Sequence, residues 1–415
     1  MLPATQEATA ARLDALTRPA DGGWLGAARE DAAARLAAVG LPHRRDEYWR
    51  YTDPAPFNAP APQAGGVAPV DPFEDADAIV VTVTDGTVAV SADLPEGLEI
   101  ASLRDAATAD IHWARDLYGT LEAAGSRPVS RPHAMLNTAH ATDGVLVRAT
   151  AEVARPVHVR YVGGDDPVLH HLVRVEAGAR VTVLESGLPG GRFNTVAEVD
   201  VAPSGAFHHV RVQGRGGDRH AHTHLFGRLG EGATLRSFTL TADGALTRNE
   251  AMLDLGADDA SATVGGAAIG QGGDFHHDDT VFVTHGALRG ESRQVFKKVL
   301  RDGATGVFQG KILVKEGAQK TDGYQISQSL LLDEDSVFLA KPELEIYADD
   351  VACSHGSTTG AIDRTALFYL RSRGVPERAA VAMLVLSFLA EAVEEIEDEA
   401  LRARITDLLA EWLAD

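Results

Sequence analysis

One cysteine and one histidine stand two positions apart in DDVACSHGST, residues 349–358. Cys353 is the only cysteine among 415 residues, and Asp349 and Asp350 lie just upstream of it. If this stretch is a strand, Cys353 and His355 point to the same side, because side chains alternate along a strand. A thiolate and an imidazole in that position can share one soft metal ion or cluster. The alternative is a free cysteine that packs as a small apolar side chain.

A single thiol limits what this pair can hold. Iron–sulfur clusters generally need four ligands, mostly cysteine sulfur, so a cluster bound here would have to be shared with another subunit. The sequence also contains no GxxxxGK followed by Ser or Thr, and no GxSxG. It therefore predicts neither a phosphate-binding loop nor a hydrolase nucleophile. These absences argue against an enzyme that works alone.

Three histidines alternate in HAHTH, at His220, His222 and His224. On a regular strand they share one face, and three imidazoles can ligate zinc, nickel or iron. No acidic fourth ligand is obvious nearby in the sequence. The alternative is a hydrogen-bonded polar outer face of a strand. The HHDD run at 276–279 is a weaker candidate, since histidines in turns are often surface residues.

Charge and composition narrow the class of protein. The formal net charge of -22 argues against a nucleic-acid or anionic-membrane partner. The longest strongly apolar run, AAVAMLVLSFLA at 379–390, is too short to span a bilayer. The first residues, MLPATQEATAARLDAL, lack the basic start and apolar centre of a secretory signal. One cysteine also fits a reducing compartment, so we predict a cytoplasmic protein.

Residues 1–141 predict a mixed, partly helical N-terminal region. Helix-forming residues with apolar positions at helical spacing fill 6–39. A Pro-rich stretch at 54–72 predicts a linker or an extended arm. AIVVTVTDGTVAV at 78–90 alternates around Asp-Gly, which is typical of a two-strand hairpin. Residues 101–125 predict a return to helix.

Residues 142–363 read as short strands separated by Gly, Asp and Pro turns. A Gly-Ala pair opens successive strands, and its glycines lie 27, 27 and 24 residues apart, at Gly178, Gly205, Gly232 and Gly256. That period suits one coil of a solenoid. The freedom of glycine at positive φ would explain the recurring corner. A β-sandwich or tandem cupin barrels stay open as alternatives.

Residues 364–415 predict a C-terminal helical domain of two acidic, amphipathic helices. Pro376 is expected at the first position of a helix, and apolar residues from Leu401 to Leu413 recur at steps of three and four. This unit is expected either to cap the open end of the solenoid or to offer a docking surface for a partner. The two roles are compatible.

Residues 307–375 closely resemble the SufB/SufD family of iron–sulfur cluster assembly proteins. Four markers occur in order: F-x-G-x-I-x-V, A-Q-K-T-D, P-E-L-E-I-x-A-D-D-V-x-C-S-H-G and F-Y-L-x-S-R-G. Weaker likeness extends upstream to EYWRYTD at 47–53. The modest length, the single cysteine and EYWRYTD resemble the SufD branch of the family, whereas SufB is longer and bears more cysteines.

The resemblance implies a mainly β fold, a right-handed parallel β-helix flanked by helical N-terminal and C-terminal regions. It also implies a complex in which this chain pairs with a SufB-like scaffold protein. Each C-terminal helical region would hold one SufC-like ABC ATPase. A transient iron–sulfur cluster would form at the junction of the two scaffolds, with His355 as a shared metal ligand and Cys353 beside it. This chain itself would bind no nucleotide.

We therefore predict a non-catalytic, SufD-like scaffold subunit whose segment Pro342–Gly360 contacts the partner scaffold. Asp349 and Asp350 are expected to set turn geometry, with a supporting role in iron entry as the second possibility. The rival function is a cupin-like metal-binding enzyme that uses the His220, His222 and His224 face. A purely structural β-helix is the third, and self-association into a homodimer is left open.

Overall fold

Short runs of β-branched and other apolar residues, separated by tight turns, form most of the strands of this chain. The structure, a computed structural model, describes residues 3–17, 19, 23–62, 71–90, 93–109, 112–187, 191–214 and 218–414. Within these ranges the strands are β1 (Ile79–Thr84), β2 (Thr87–Val90), β3 (Leu98–Ser102), β4 (Val145–Ala149), β5 (Val157–Val162), β6 (Val168–Val175), β7 (Arg180–Ser186), β8 (Arg192–Val201), β9 (Ala206–Gln213), β10 (His220–Leu229), β11 (Thr234–Ala242), β12 (Leu246–Leu255), β13 (Ser261–Gln271), β14 (His276–His285), β15 (Glu291–Arg301), β16 (Thr305–Val314), β17 (Asp322–Leu331), β18 (Val337–Ile346) and β19 (Ala352–Ala361). The α-helices are α1 (Pro3–Asp14), α2 (Leu25–Val39), α3 (Ala55–Asn58), α4 (Leu103–Ala106), α5 (Thr120–Gly125), α6 (Pro132–His140), α7 (Arg364–Ser372), α8 (Glu377–Val393) and α9 (Glu399–Ala414).

From β4 onward, consecutive strands alternate between two sheets. Odd-numbered strands pair in one sheet, here called sheet A, and even-numbered strands pair in the other, sheet B. Pairing along both sheets is parallel, as in β10 with β12 and β17 with β19. Each pair of strands is therefore one coil of a parallel β-solenoid of about seven turns. The predicted β-helix is confirmed, and the sandwich and cupin alternatives are wrong because both use antiparallel strands.

The interior of the solenoid takes every second residue of each strand. On β10, Ala221, Leu225 and Leu229 belong to the main apolar core, which draws on both sheets. Their neighbours His222 and His224 point to the outer face of sheet B. Because the side chains alternate, the sequence of one strand serves two environments, an inner core and an outer surface that other elements cover.

The recurring corner of the coils holds one residue in the left-handed region, whose N–H donates to a carbonyl of the following coil. The residues at this position are Gly178, Ser204, Gly232, Asp259, Arg289 and Lys320. Gly205 and Gly256 lie close to the corner but do not have positive φ. The predicted period was therefore right, but its explanation by glycine holds for only two of the four glycines.

The N-terminal region covers the outer face of sheet B. Apolar side chains of this region, among them Leu25, Leu117 and Leu121, pack against outward residues such as Val196 and Phe226. The region also adds strands to the solenoid, since β1 pairs in parallel with β5 and β3 pairs antiparallel with β4. Burial of each large apolar side chain contributes roughly 1.5–3 kcal/mol, so this cover is an integral part of the fold.

The C-terminal helices α8 and α9 cover the outer face of sheet A. Val385, Leu389 and Ile405 pack against outward residues of β11 and β15, including Phe238 and Val295. The expected cap over the open end of the solenoid is therefore wrong. The apolar stripe of α8 and α9 faces the side of the coils because that is where sheet A presents an apolar surface.

Several predicted helices are divided in the structure. The stretch 6–39 forms α1 and α2, and 101–125 holds α4, a 3-10 turn at Trp113–Asp116 and α5. The C-terminal region has three helices where two were predicted, and Pro376 caps α8 rather than opening it. The hairpin of β1 and β2 is confirmed. The predicted linker lies partly outside the described residues.

None of the described helices is long and apolar enough to cross a bilayer. The longest apolar helix, α8, instead buries its apolar side chains against sheet A and α9. The apolar run 379–390 therefore packs in the interior of the protein.

Candidate functional site

The last coil of the solenoid, made of β18 and β19, has no further coil on its open side. β18 pairs with β16 and β19 with β17, and each strand ends its sheet. Three apolar side chains at this end are well exposed, namely Val337 (43%), Ile346 (39%) and Tyr347 (60%). The coil thus presents unpaired backbone groups beside apolar surface, which is what a partner strand recognises.

The amide groups of β19 divide into two alternating sets. The N–H of Ala352 donates to the carbonyl of Thr321, toward the paired side. In a parallel ladder, successive residues direct their N–H groups to opposite sides. The N–H groups on the open side of β19 are therefore those of Cys353, His355, Ser357, Thr359 and Ala361.

On β18 the same rule shows on which side of the strand the missing N–H of Pro342 falls. The N–H groups of Val337 and Tyr347 donate toward the paired side, to Ala304 and Val314. Pro342 is an odd number of residues from both, so its missing N–H falls on the open side and costs no hydrogen bond to β16. Proline in a sheet is expected at such an edge position. Of the two edge strands, β19 keeps the uninterrupted row of donors.

Cys353 and His355 lie on the same face of β19, opposite Gly323 and Gln325 of β17. In the preceding coils this face lines the interior of the solenoid. Cys353 is half-buried and packs with Ile312 in a small apolar cluster. Burial raises the pKa of the Cys353 thiol, although the Gly323 N–H donates to its sulfur and opposes the shift. His355 is exposed.

Buried amide side chains lie directly behind His355. Gln325 and Gln294 are fully buried, and none of their amide oxygen and nitrogen atoms has a hydrogen-bond partner among the described residues. Gly310 makes room for Gln325, because a Cβ there would lie 2.4 Å from its Oε1. His355 thus stands at the polar mouth of the solenoid interior.

This arrangement gives the open coil one exposed imidazole and one packed thiol. An imidazole can ligate a metal ion or accept and donate a proton near neutral pH. The raised pKa of Cys353 keeps its sulfur a thiol, which is a poorer metal ligand than a thiolate. His355 is therefore the stronger candidate of the pair.

Asp349 and Asp350 lie in the turn between β18 and β19, and both are exposed. The carbonyl of Asp350 accepts from the N–H of Lys320, and its own N–H donates to Oε1 of Gln319. The backbone of Asp350 thus joins the corner to the preceding coil. The stretch DDVACSHGST is therefore only partly a strand, since residues 349–351 lie in the turn and β19 begins at Ala352.

The EYWRYTD segment, which carried the likeness upstream, is a strap across the outer face of sheet B. The Tyr48 hydroxyl donates to Glu343 (2.7 Å) on β18, and Lys341 pairs with Glu47 (2.6 Å). Thr52 donates to Asp278 (2.6 Å) on β14. The sequence gave no physical signal for this role, because these contacts join positions more than 200 residues apart.

The HAHTH histidines lie on the buried outer face of sheet B, beneath the N-terminal region. Ring nitrogens of His222 and His224 lie within 4.8 Å of each other and of a carboxylate oxygen of Glu250, and these three are the potential metal ligands found among the described residues. His220 is not part of this group. Glu250 on β12 pairs in register with His224, and it is the acidic residue that the sequence did not reveal.

The charges around Glu250 do not favour a metal ion. Arg248 donates to Glu250 (2.7 Å), Arg131 pairs with it (2.9 Å), and His222 lies 3.0 Å from it. Burial alone would raise the pKa of Glu250, but the two guanidinium groups hold it well below its usual range. A divalent cation would have to compete with these two guanidinium groups for the Glu250 carboxylate. The cluster therefore fits a buried ion-pair network, and the cupin-like alternative loses its site as well as its fold.

The HHDD run is buried on β14 and not in a surface turn, so that expectation is wrong. Its alternate residues face opposite sides of sheet B. On the inner side, Lys298 contacts His277 (2.7 Å) and Asp279 (2.6 Å). From there a hydrogen-bonded chain of polar side chains runs through the interior, by way of Asn249, Gln213, Thr223, Arg211, Glu185, His209, Tyr161 and His171.

A second exposed surface lies on the C-terminal helices. Phe368 and Tyr369 on α7 are 73% and 54% exposed, and Met383 on α8 is 53% exposed. No residue of α7 is buried. Exposed large apolar side chains on neighbouring helices are typical of a protein contact site.

Comparison with known proteins identifies the family. The family description "SUF system FeS cluster assembly, SufBD core domain" matches residues 163–388. The iron–sulfur cluster assembly protein SufD of Escherichia coli is 30% identical over 395 residues, which covers 89% of this chain and 89% of that protein. A SufBD family iron–sulfur cluster assembly protein of Synechocystis is 28% identical, covering 91% of this chain and 88% of that protein.

A plant protein extends the likeness, the chloroplastic protein ABCI7 of Arabidopsis thaliana, which is 26% identical over 90% of this chain and 83% of its own length. The matched family region begins before β6 and ends within α8, so it includes the open coil with Cys353 and His355. With the parallel solenoid and these matches, the chain belongs to the SufB/SufD family of the iron–sulfur cluster assembly SUF system and is most like SufD.

Proposed function

We propose that this chain is a SufD-like, non-catalytic scaffold subunit of a complex with a SufB-like scaffold and a SufC-like ATPase. In that complex an iron–sulfur cluster, the cargo, is built where the two scaffolds meet. ATP is hydrolysed by the SufC-like subunit, and this chain binds no nucleotide. The complex works in the cytoplasm.

The observation that carries the proposal is the unpaired last coil with His355 at its mouth. An exposed edge strand is normally shortened, charged or covered, because it invites pairing with other chains. β19 has ten residues, no proline and no cover among the described residues. A partner scaffold that ends in similar strands can continue both sheets from this edge, and the junction then lies beside His355.

We assign His355 as a ligand or proton handler for the nascent cluster. One imidazole is only part of a coordination sphere, so the partner scaffold supplies the remaining ligands. Cys353 mainly packs, in keeping with its apolar neighbours and raised pKa. Asp349 and Asp350 support the site as exposed carboxylates of the adjacent turn.

We assign the surface of α7 and α8 around Phe368, Tyr369 and Met383 to the ATPase. These side chains are exposed while the opposite side of α8 is buried against sheet A. The same helix thus contacts the solenoid on one side and is free on the other. A homodimer formed through the edge of β19 is the state we expect only when the partner scaffold is missing.

Purification of the tagged chain from its native cell tests the proposal. We expect a SufB-like chain and an ABC-type ATPase to co-purify in stoichiometric amounts, and both to be identified by mass spectrometry. A chain that elutes alone from cells expressing the other two proteins would contradict the proposal and favour a purely structural β-helix.

A further inference from the structure

A groove of about 590 Å³ lies on the outer face of sheet B, between α5 and the open coil. Its floor has an apolar row across three neighbouring strands, formed by Phe226, Met252 and Phe282, which are aligned in register. Leu313 on β16 continues the apolar floor. The groove reaches Glu345 on β18, so it opens toward the edge that we assign to the partner scaffold.

Basic side chains surround this apolar floor. Lys311 pairs with Glu345 (2.5 Å) and Arg228 with Asp200 (3.0 Å). Arg127 and Lys315 also line the groove, and neither forms an ion pair with any described residue. Both side chains are exposed, so a bound partner can pair with them.

The outer face of sheet A shows which kind of element covers an apolar surface with basic side chains in this protein. Its outer face combines apolar side chains with Arg236, Arg293 and Lys297, and it is covered by α8 and by the turn before α9. The acidic residues of this cover meet the three basic ones in ion pairs, namely Glu397 with Arg236 (3.2 Å), Glu395 with Arg293 (2.7 Å) and Glu391 with Lys297. An apolar helix with acidic residues in its last turn and just after it is thus the complement of an apolar, basic sheet face in this fold.

We infer that the groove binds an acidic amphipathic helix of the partner scaffold subunit. The helix inserts apolar side chains over Phe282 and Leu313 and directs carboxylates to Arg127 and Lys315. This contact adds to strand pairing at β19 and gives the junction a second, side-chain-specific attachment. The inference rests on the proposed function, because the partner is the scaffold that pairs with the open coil.

A second copy of this chain is a poorer fit. Its own acidic amphipathic helices, α8 and α9, already bury their apolar side chains on sheet A. Releasing them would expose Phe238, Val295 and their neighbours to water at a cost of roughly 25 cal/mol for each Å².

The test uses the native complex and the isolated chain, compared by amide hydrogen exchange. We expect added protection in residues 120–128 and in the second halves of β14 and β16 when the complex forms. The variants Leu313→Glu and Lys315→Glu should each weaken retention of the partner scaffold by about tenfold or more. Arg155→Glu, a charge reversal on an exposed arginine at the far end of the solenoid, should leave retention unchanged.

Leu313→Ala provides a milder variant if Leu313→Glu unfolds, and it should weaken retention while leaving the melting temperature near that of the wild type. Partner binding at wild-type strength in Lys315→Glu and Leu313→Ala, without added protection in the groove, would overturn the inference and leave the proposed function standing. If the groove amides of the isolated chain became protected from hydrogen exchange at high protein concentration, the occupant would be a second copy of this chain, and the inference would be overturned. Failure of the wild-type chain to bind the scaffold at all would contradict the proposed function itself.

Discussion

Glu250 is the residue on which the buried histidine cluster depends. It pairs with Arg131 and Arg248, the second of which also pairs with Asp278, and it accepts a hydrogen bond from His222, all beneath the N-terminal region. The sequence predicted a polar histidine face but missed this carboxylate, because the register of β10 and β12 brings together residues 26 positions apart (His224 and Glu250). The alternation of side chains along one strand can be predicted from the sequence. The register between two strands cannot, because it depends on how each coil closes on the previous one.

Glu250→Ala should lower the free energy of unfolding by about 3–5 kcal/mol, because it leaves the buried Arg131 without its carboxylate and removes one of the two carboxylates that pair with Arg248. Denaturant unfolding at neutral pH measures the change. Glu231→Ala, at an exposed corner of the same solenoid, is the matched control and should cost under about 0.5 kcal/mol. A small effect of Glu250→Ala would contradict this account. An increase in the stability of the wild-type protein on adding zinc would support a metal site instead.

At the scale of elements, the sequence predicted the strands well and the helices less well. The 24-to-27-residue period predicted the coils because every coil repeats the same turn geometry. The helical stretches 6–39 and 101–125 were divided because tertiary contacts, which the local pattern does not contain, decide where each helix ends. The covering of sheet A by α8 and α9 was missed for the same reason, although their apolar stripe was visible.

The interior polar residues of the strands make stability depend on pH. Burial lowers the pKa of His285, on β14, to about 4. The folded protein therefore keeps this imidazole neutral while the unfolded chain takes up a proton below about pH 6.5. More protons bound in the unfolded state mean that stability falls as pH drops from about 6.5 to 4.

His285→Asn should remove that contribution. We expect the loss of unfolding free energy between pH 7 and pH 5 to be smaller in the variant by about 2 kcal/mol. Urea unfolding of both proteins at the two pH values measures it. Identical losses in the variant and the wild type would show that His285 is not a buried neutral imidazole.

The exposed side of α7 and α8 should govern ATPase binding. Phe368→Glu with Met383→Glu should reduce co-purification of the ATPase by about tenfold or more, because both side chains are large, apolar and exposed. Deleting residues 364–415 is a poor test, since it would uncover the apolar face of sheet A. Leu288→Glu, an exposed apolar residue of a solenoid turn, is the control. Full ATPase retention in the double variant would refute this docking surface.

At the scale of the whole molecule, the fold covers both sides of the solenoid and leaves one end open. The N-terminal region covers sheet B and the C-terminal helices cover sheet A, so the unpaired edges of β18 and β19 are the natural place for growth of the sheets. The sequence predicted subunit contacts for Pro342–Gly360 from the edge argument. It did not predict the groove beside α5, because the groove is formed by residues of six separate segments.

Pairing through β19 should be sensitive to the amides on its open side. Thr359→Pro removes one of these amides without removing a donor to β17, so it should weaken association with the partner scaffold by about tenfold. Thr359→Ala controls for the side chain. Size-exclusion chromatography with light scattering, over a dilution series, measures both. Association of Thr359→Pro at wild-type strength would argue that the edge is not the interface.

Cluster content in a complex that carries His355→Ala tests the central claim most directly. The complex is purified anaerobically, and iron, acid-labile sulfide and visible absorption are measured beside wild-type and Cys353→Ala complexes. We predict that the His355→Ala complex stays assembled and hydrolyses ATP while its cluster content falls by about tenfold or more. Cys353→Ala should retain most of the cluster, because this thiol mainly packs. Wild-type cluster content in the His355→Ala complex would contradict the assignment of the open coil as the assembly site.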